Sequence, residues 1–162
     1  MKLSGGVEWA LHACVVLTAA AEPVPAARLA ELHEVSPSYL AKQLQALSRA
    51  GLVRSVQGKT GGYVITRDAR EITLLDVVQA VDGASPAFVC TEIRQRGPFA
   101  TPPEECTKQC PVARAMGAAD AAWRASLAGV TIADLVSSVE SDNGPDALPA
   151  IGTWLNAGSG PH

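Results

Sequence analysis

Apolar residues recur three and four positions apart over most of the chain, the spacing of one helix face. Val7 to Ala21 is largely apolar and is interrupted by Glu8 and His12. Ser4 stands where an N-cap belongs, and Pro23 and Pro25 follow, so the pattern predicts a helix to about Ala20. In "AARLAELHEV", Leu29, Leu32 and Val35 mark a short second helix. Ser36 followed by Pro37 opens a third, because Ser caps free amides and Pro at the first helical position has none to satisfy. Leu40, Leu44 and Leu47 form its apolar stripe, Ser38, Tyr39, Lys42, Gln43 and Arg49 fall outside it, and Gly51 closes it. Leu52 to Val56 and Tyr63 to Thr66 then read as short strands, with "QGKTGG" as the hairpin tip. Helix, turn, helix and a glycine-rich basic hairpin make a winged helix-turn-helix, within a chain that is mainly α with a small β-wing.

Thr73 and Asp76 form a capping-box-like start for "TLLDVVQAVDG", which Gly83 stops. Ala84 to Gln109 holds four prolines and no clear period, and an irregular loop of that length is usually functional or disordered. From Cys110 a long helix begins with Pro111 at its first position and with Val112, Met116, Ala119, Trp123 and Leu127 along one side. Its alanines and Gly117 permit close approach of another helix, and we read it as a dimerisation helix, since two-fold dimers usually read near-palindromic DNA. Thr131 caps a last short helix, and beyond Asp142 the composition becomes that of a flexible tail in which Trp154 and Leu155 can dock locally. The expected organisation is therefore a DNA-binding domain at 1–83, a cysteine-containing loop at 84–109, dimerisation and C-terminal helices at 110–140, and a tail at 141–162.

The net charge of -3 taken alone disfavours a nucleic-acid partner, but its distribution reverses that. Ser36 to Arg67 carries Lys42, Arg49, Arg54, Lys59 and Arg67 with no acid, so this segment is +5 and the remainder -8. A local basic surface is what phosphates meet. On the third helix Ser38, Tyr39, Lys42 and Gln43 are the candidate DNA readers; Lys59 and Thr60 sit on the wing, and Arg28 can reach the DNA backbone. The opening "MKLSGG" and the interrupted apolar run fit neither a signal peptide nor a membrane span, which leads us to expect a cytoplasmic protein with no membrane partner. No phosphate-binding glycine loop, serine-centred nucleophile motif or HExxH helix is present, so an enzyme is not expected.

In a reducing compartment the four cysteines suggest metal, redox chemistry or packing. Cys14 lies among Val15, Val16 and Leu17 and reads as a core residue. Cys90, Cys106 and Cys110 are spaced unlike a zinc ribbon or a ferredoxin run. Cys110 is the best placed, because a helix N-terminus favours the thiolate. In "EWALH", Glu8 and His12 are one helical turn apart, as a surface pair or as two teeth of a metal clamp.

"SYLAKQLQALSRAGLVRSVQGKTGGY", "ITLLDVVQAVDG", the cysteine loop, "CP" opening a helix and "TIADLV" together resemble the winged-helix iron-sulfur transcriptional regulators, the family of the iron-sulfur cluster regulator and the nitric-oxide-sensitive repressor. The resemblance spans about Met1 to Val139. It implies a homodimer binding double-stranded operator DNA, with a cluster held by loop cysteines of one subunit and completed by a helix-one residue of the other. Fifteen residues between Cys90 and Cys106 depart from the family's closer spacing. Matched in order, Cys90 and Cys110 take the outer positions and Cys106 is the uncertain ligand. Glu8 falls where relatives supply an acidic ligand, and His12 lies one turn on. Cys90, Cys110, Glu8 and His12 would suit a 2Fe-2S cluster; the alternative is a 4Fe-4S cluster on three cysteines plus Glu8. Trp9, beside a ligand, is a candidate redox-coupling residue. A metal-free thiol-disulfide switch and a structural zinc loop are the rival readings.

Overall fold

The computed structural model describes residues 2–59 and 61–157. Helix α1 (Gly5–Thr18) runs through the middle, burying Val7, Ala10, Ala13, Cys14, Val15, Val16 and Leu17 against α3, α4, α6 and α7. Its small residues allow those neighbours to approach. Ser4 was expected to cap this helix with its own side chain; instead its hydroxyl and its amide both donate to the carboxylate of Asp82, the amide at 2.8 Å. The start of α1 is thereby tied to the end of α4 (Leu74–Asp82), and the helix ends at Thr18 rather than near Ala20.

Helices α2 (Ala26–Leu32) and α3 (Pro37–Arg49) are joined by a tight turn in which Glu34 adopts φ 50°. Leu40, Leu44 and Leu47 are fully buried, as their spacing predicts. Gly51, at φ 71°, lets the chain reverse so that the Leu52 amide reaches the Leu47 carbonyl at 2.9 Å. Strands β1 (Val53–Val56) and β2 (Gly62–Ile65) pair antiparallel with Val53 opposite Ile65; β1 ends at Val56 as expected, and the other limits differ from the expected ones by one residue. Val24, just before α2, exchanges two backbone hydrogen bonds with Tyr63, fixing the wing to the helical body. Gly62 is required at that crossing, because a Cβ there would lie 2.3 Å from the Val24 carbonyl carbon.

The capping boxes at Thr73/Asp76 and Thr131/Asp134 both form. The two capped starts lie side by side: the Leu74 amide donates to Val130 and the Ile132 amide to Ile72. Residues 84–109 form an irregular loop with short 3-10 turns at Ile93–Gln95 and Pro103–Glu105. Helix α5 (Pro111–Ala128) follows, with Ala113 its one buried residue, then α6 (Ile132–Asn143).

The expected tail is corrected over most of its length. Ala147–Ala157 form a helix, α7, with Leu148 and Leu155 buried in the common core. Seven α-helices and one two-stranded sheet are thus present among the described residues. Helix α7 seats by backbone contact, since a Cβ on Gly152 would fall 2.2 Å from the Ala19 carbonyl oxygen. Polar composition concealed it; the apolar positions Leu148, Ile151 and Leu155 carry the helical spacing that reveals it. Gly152→Ala is expected to cost about 1–3 kcal/mol through overpacking, read as a lower urea midpoint with unchanged slope.

Candidate DNA interface and metal-ligand site

Helix α3 presents Ser38, Lys42, Gln45 and Arg49 as exposed residues at i, i+4, i+7 and i+11, one continuous polar stripe. Tyr39 is exposed beside it. Gln43, expected among the readers, is 5% exposed and faces inward. It packs against Gly6 of α1, where a Cβ would come within 2.6 Å of the Gln43 amide oxygen. The reason is positional: residue 43 lies three after Leu40 and four before Leu47, on the buried face. Gln45, which sequence reasoning missed, occupies the outward position instead, and the same period identifies it.

Arg54 of β1, Lys59 on the wing and Arg67 after β2 are exposed, as are Lys42 and Arg49. Among the described residues none of these five forms an ion pair. The basic segment is therefore an uncompensated surface, available to phosphates. Thr60, the other wing residue expected to meet DNA, lies outside the described residues.

Arg28 does not present its charge to solvent as expected. It bonds Glu31 at 2.7 Å, donates to the Trp154 carbonyl at 2.8 Å, and lies 3.4 Å over the Trp154 ring. Helix α7 has captured it, because an aromatic face and a free carbonyl satisfy a guanidinium in one place.

The two halves of the candidate metal site sit on different elements. Glu8 and His12 are exposed on α1 and are not ion-paired to each other. They line an open groove of about 570 Å³ between α1 and α6. The His12 ring meets His33 edge-on at 5.6 Å, and His33 lies 5.9 Å from Trp9. His33 follows α2 directly, so the candidate ligand helix touches the turn of the helix-turn-helix. Burial, then the neighbouring His12, holds the His33 imidazole below its usual pKa. Its buried Nε2 has no hydrogen-bond partner.

Cys110 is the N-cap of α5 and nearly buried, and the amides of Ala113 and Val112 lower its pKa, with Arg94 adding to the effect. Cys90 and Cys106 are half-buried in the loop. The Cys90 thiol lies 3.8 Å from Glu92, which in turn holds Arg94 at 2.7 Å. Arg94 also donates to the Lys108 carbonyl at 2.8 Å. Hydrogen bonding to Glu92 chiefly raises its pKa, and the thiols of Cys106 and Cys110 contribute. This arginine, unremarked in the sequence, interacts with Cys106 and Cys110 and is joined to Cys90 only through Glu92. Among the described residues, no three His, Cys, Asp or Glu side chains converge on a metal position within one chain. Cys14 is fully buried, and burial pushes its thiol up to about 12.

A winged helix-turn-helix with a free basic face, carried with a loop of three thiols, defines a DNA-binding transcriptional regulator. The chain belongs to the Rrf2 family, described as iron-dependent transcriptional regulators, whose model matches residues 3–138. It is 28% identical over 142 residues to the "Putative HTH-type transcriptional regulator YffB" of Lactococcus lactis, covering 86% of this chain and 90% of that one. It is 38% identical over 92 residues to the HTH-type transcriptional regulator IscR of Escherichia coli, covering 56% of this chain and 57% of IscR. The chain thus spans little more than half the length of that relative. Among solved structures, CymR, the global cysteine regulator of B. subtilis, superposes with a TM-score of 0.65 at 22% identity, covering 85% of this chain and 98% of that one. T. potens IscR gives 0.64 at 22% identity, covering 88% and 91%. The relatives are regulators rather than enzymes. Among the described residues no helix is long and apolar enough to cross a membrane.

Two outcomes follow from this geometry. Lys59→Ala should lower the slope of log affinity against log salt by about 0.9 per protomer contact, whereas Arg28→Ala should leave the slope unchanged and reduce thermal stability. A lost slope in the Arg28 variant would contradict its capture by α7. In reduced, metal-free protein at pH 8, iodoacetamide should label Cys90 and Cys106 but not Cys14, which should react only after unfolding; peptide mass spectrometry reads this.

Proposed function

We propose that the chain acts as a homodimeric repressor whose operator affinity is set by redox state, through a 2Fe-2S cluster shared between subunits. Cys90 and Cys110 of one protomer and Glu8 and His12 of the other are the ligands. The observation that carries this reading is the division of donors: two exposed side chains one turn apart on α1 face an open groove, while the thiols lie on other elements, Cys90 in the loop beside Glu92 and Cys110 at the start of α5. The donor chemistry fits such a group. Helix-terminal amides favour the Cys110 thiolate, and the unpaired Glu8 and His12 share one side of α1.

When bound, such a cluster supplies a one-electron couple, with imidazole ligation raising its potential above that of an all-thiolate site. The remaining steps belong to the chain. His12 would hold such a group through an unprotonated ring nitrogen, so acid would oppose ligation. A displacement of α1 is passed at the His12–His33 contact to the turn between α2 and α3, with Trp9 repacking against the same His33 ring. In a dimer that changes the spacing of the two recognition helices on operator DNA.

Arg94 feels the charge of both Cys106 and Cys110, and this favours a second reading: a 4Fe-4S cluster on three cysteines plus Glu8. Cys106→Ala separates the two. A retained cluster spectrum supports the mixed set, and its collapse supports three cysteines. His12→Ala is expected to disturb the spectrum in the first case alone. Redox gating itself is tested by operator binding of oxidised and dithionite-reduced protein at fixed salt, where at least a tenfold difference is expected and equal affinities would refute it.

A further inference from the structure

Within one protomer the interval between Cys90 and Cys106 has no apolar core of its own. Its large apolar side chains Ile93 and Phe99 are 73% and 96% exposed, so burial cannot hold this stretch in shape. Hydrogen bonds must do so, and they meet at one residue. The Arg94 Nε donates to Glu92 at 2.7 Å, the same guanidinium donates to the Lys108 carbonyl at 2.8 Å, and the Arg94 carbonyl accepts the Thr101 amide at 2.8 Å. Arg94 thereby joins residues 92, 101 and 108, and the turn that carries Phe99 hangs from it.

Glu92 completes this hub from the other side. It adopts φ 50° and ψ 47°, a left-handed conformation that an ordinary residue keeps only where its surroundings enforce it. That turn directs one carboxylate oxygen to the Cys90 thiol at 3.8 Å and the other to Arg94. Cys90 and Gln109, the neighbour of Cys110, line one cavity of about 250 Å³ beside α5. The two ends of the loop therefore meet where Arg94 reaches Lys108. Cys106 and Cys110 both feel the positive charge of this arginine.

We propose that Glu92 and Arg94 are a positioning pair that braces the long interval of the loop, holding Cys90 beside the start of α5 before any cluster is bound and placing a fixed positive charge near Cys110. The inference deepens the cluster reading and rests on it only for the role of the charge. Closing a longer interval between two ligands costs more chain entropy, and a brace across it removes that cost before binding. Arginine suits the task because its planar fork bonds a carboxylate and a carbonyl at once, which a lysine ammonium does less well. A fixed cation beside the thiols also favours the state that carries one more electron, and so raises the reduction potential of a bound cluster.

Amide hydrogen exchange of the full-length, metal-free chain reads the brace. In Arg94→Gln, peptides covering 91–109 should exchange roughly tenfold faster than in wild type, while those from α1 and α4 stay unchanged. Arg96→Gln is the control: Arg96 is a cation of the same loop whose one side-chain hydrogen bond among the described residues is a 3.4 Å contact to the Thr91 carbonyl. It should leave exchange unaltered. Unaltered exchange in Arg94→Gln, or equal acceleration in Arg96→Gln, overturns the brace. The charge is read in iron-loaded protein by redox titration with dithionite. Arg94→Gln should raise the oxidised-to-reduced ratio at a fixed potential at least tenfold, a midpoint lowered by about 59 mV for one electron. Arg94→Lys keeps the charge without the fork, so it should restore the midpoint and leave the fast exchange. A midpoint unmoved in Arg94→Gln overturns the role of the charge. The two readings fail separately, since a wild-type chain that takes up no iron sinks the cluster reading while the exchange measurement still decides the brace.

Discussion

Helix α1 must touch α3, α4, α6 and α7 at once, and this crowding governs the rest of the molecule. Only small or compact side chains serve at such a crossing, hence Gly6 against Gln43, and Ala10, Ala13 and Cys14 with no exposed surface. Packing on so many sides leaves a narrow exposed strip, and Glu8 and His12 occupy it. A helix gripped this way has little freedom to move alone. Any force on its exposed strip is passed to its neighbours, and His12 touches the α2–α3 turn through His33.

The DNA face depends on the same packing from the opposite side. Because Leu40, Leu44, Leu47 and Gln43 are turned towards the core, Ser38, Lys42, Gln45 and Arg49 are turned outward. Val24 and Gly62 then join the wing to the helical body, so the position of Lys59 relative to α3 is set by backbone hydrogen bonds rather than by side-chain preference. Helix α7 completes this unit. It lies beyond the stretch matched by the family model, yet it holds α2 through Arg28 and Trp154 and presses on the end of α1 at Ala19.

Features whose cause lies within a few residues were legible in advance. The two capping boxes need only Thr and Asp three positions apart, Gly51 needs only its own φ, and Pro111 needs only the first position of a helix. The basic segment was legible too, since an absence of acids over 32 positions leaves nothing nearby to neutralise it. Three of the misreadings share one origin. Gln43, Arg28 and Ser4 are polar groups whose partners, Gly6, Trp154 and Asp82, lie 37, 126 and 78 positions away. Local pattern assigns such groups to solvent or to a neighbouring amide, and only a partner far along the chain redirects them.

The sequence by itself determined the order of α1 to α6 and the wing, the capped starts of α4 and α6, the surplus of positive charge on the reading face, and the presence of residue types that can bind a cluster. Those properties are carried by local hydrogen bonding, side-chain period and charge count. Tertiary structure decided which polar side chains face outward, that residues 147–157 dock as a helix, and that Arg94 stands among the loop thiols. It also decided that Glu8 and His12 on α1 border an open groove while an aromatic ring on the loop stands uncovered. Each of these requires segments far apart in the chain to meet, and such meetings are selected by shape and burial over the whole core.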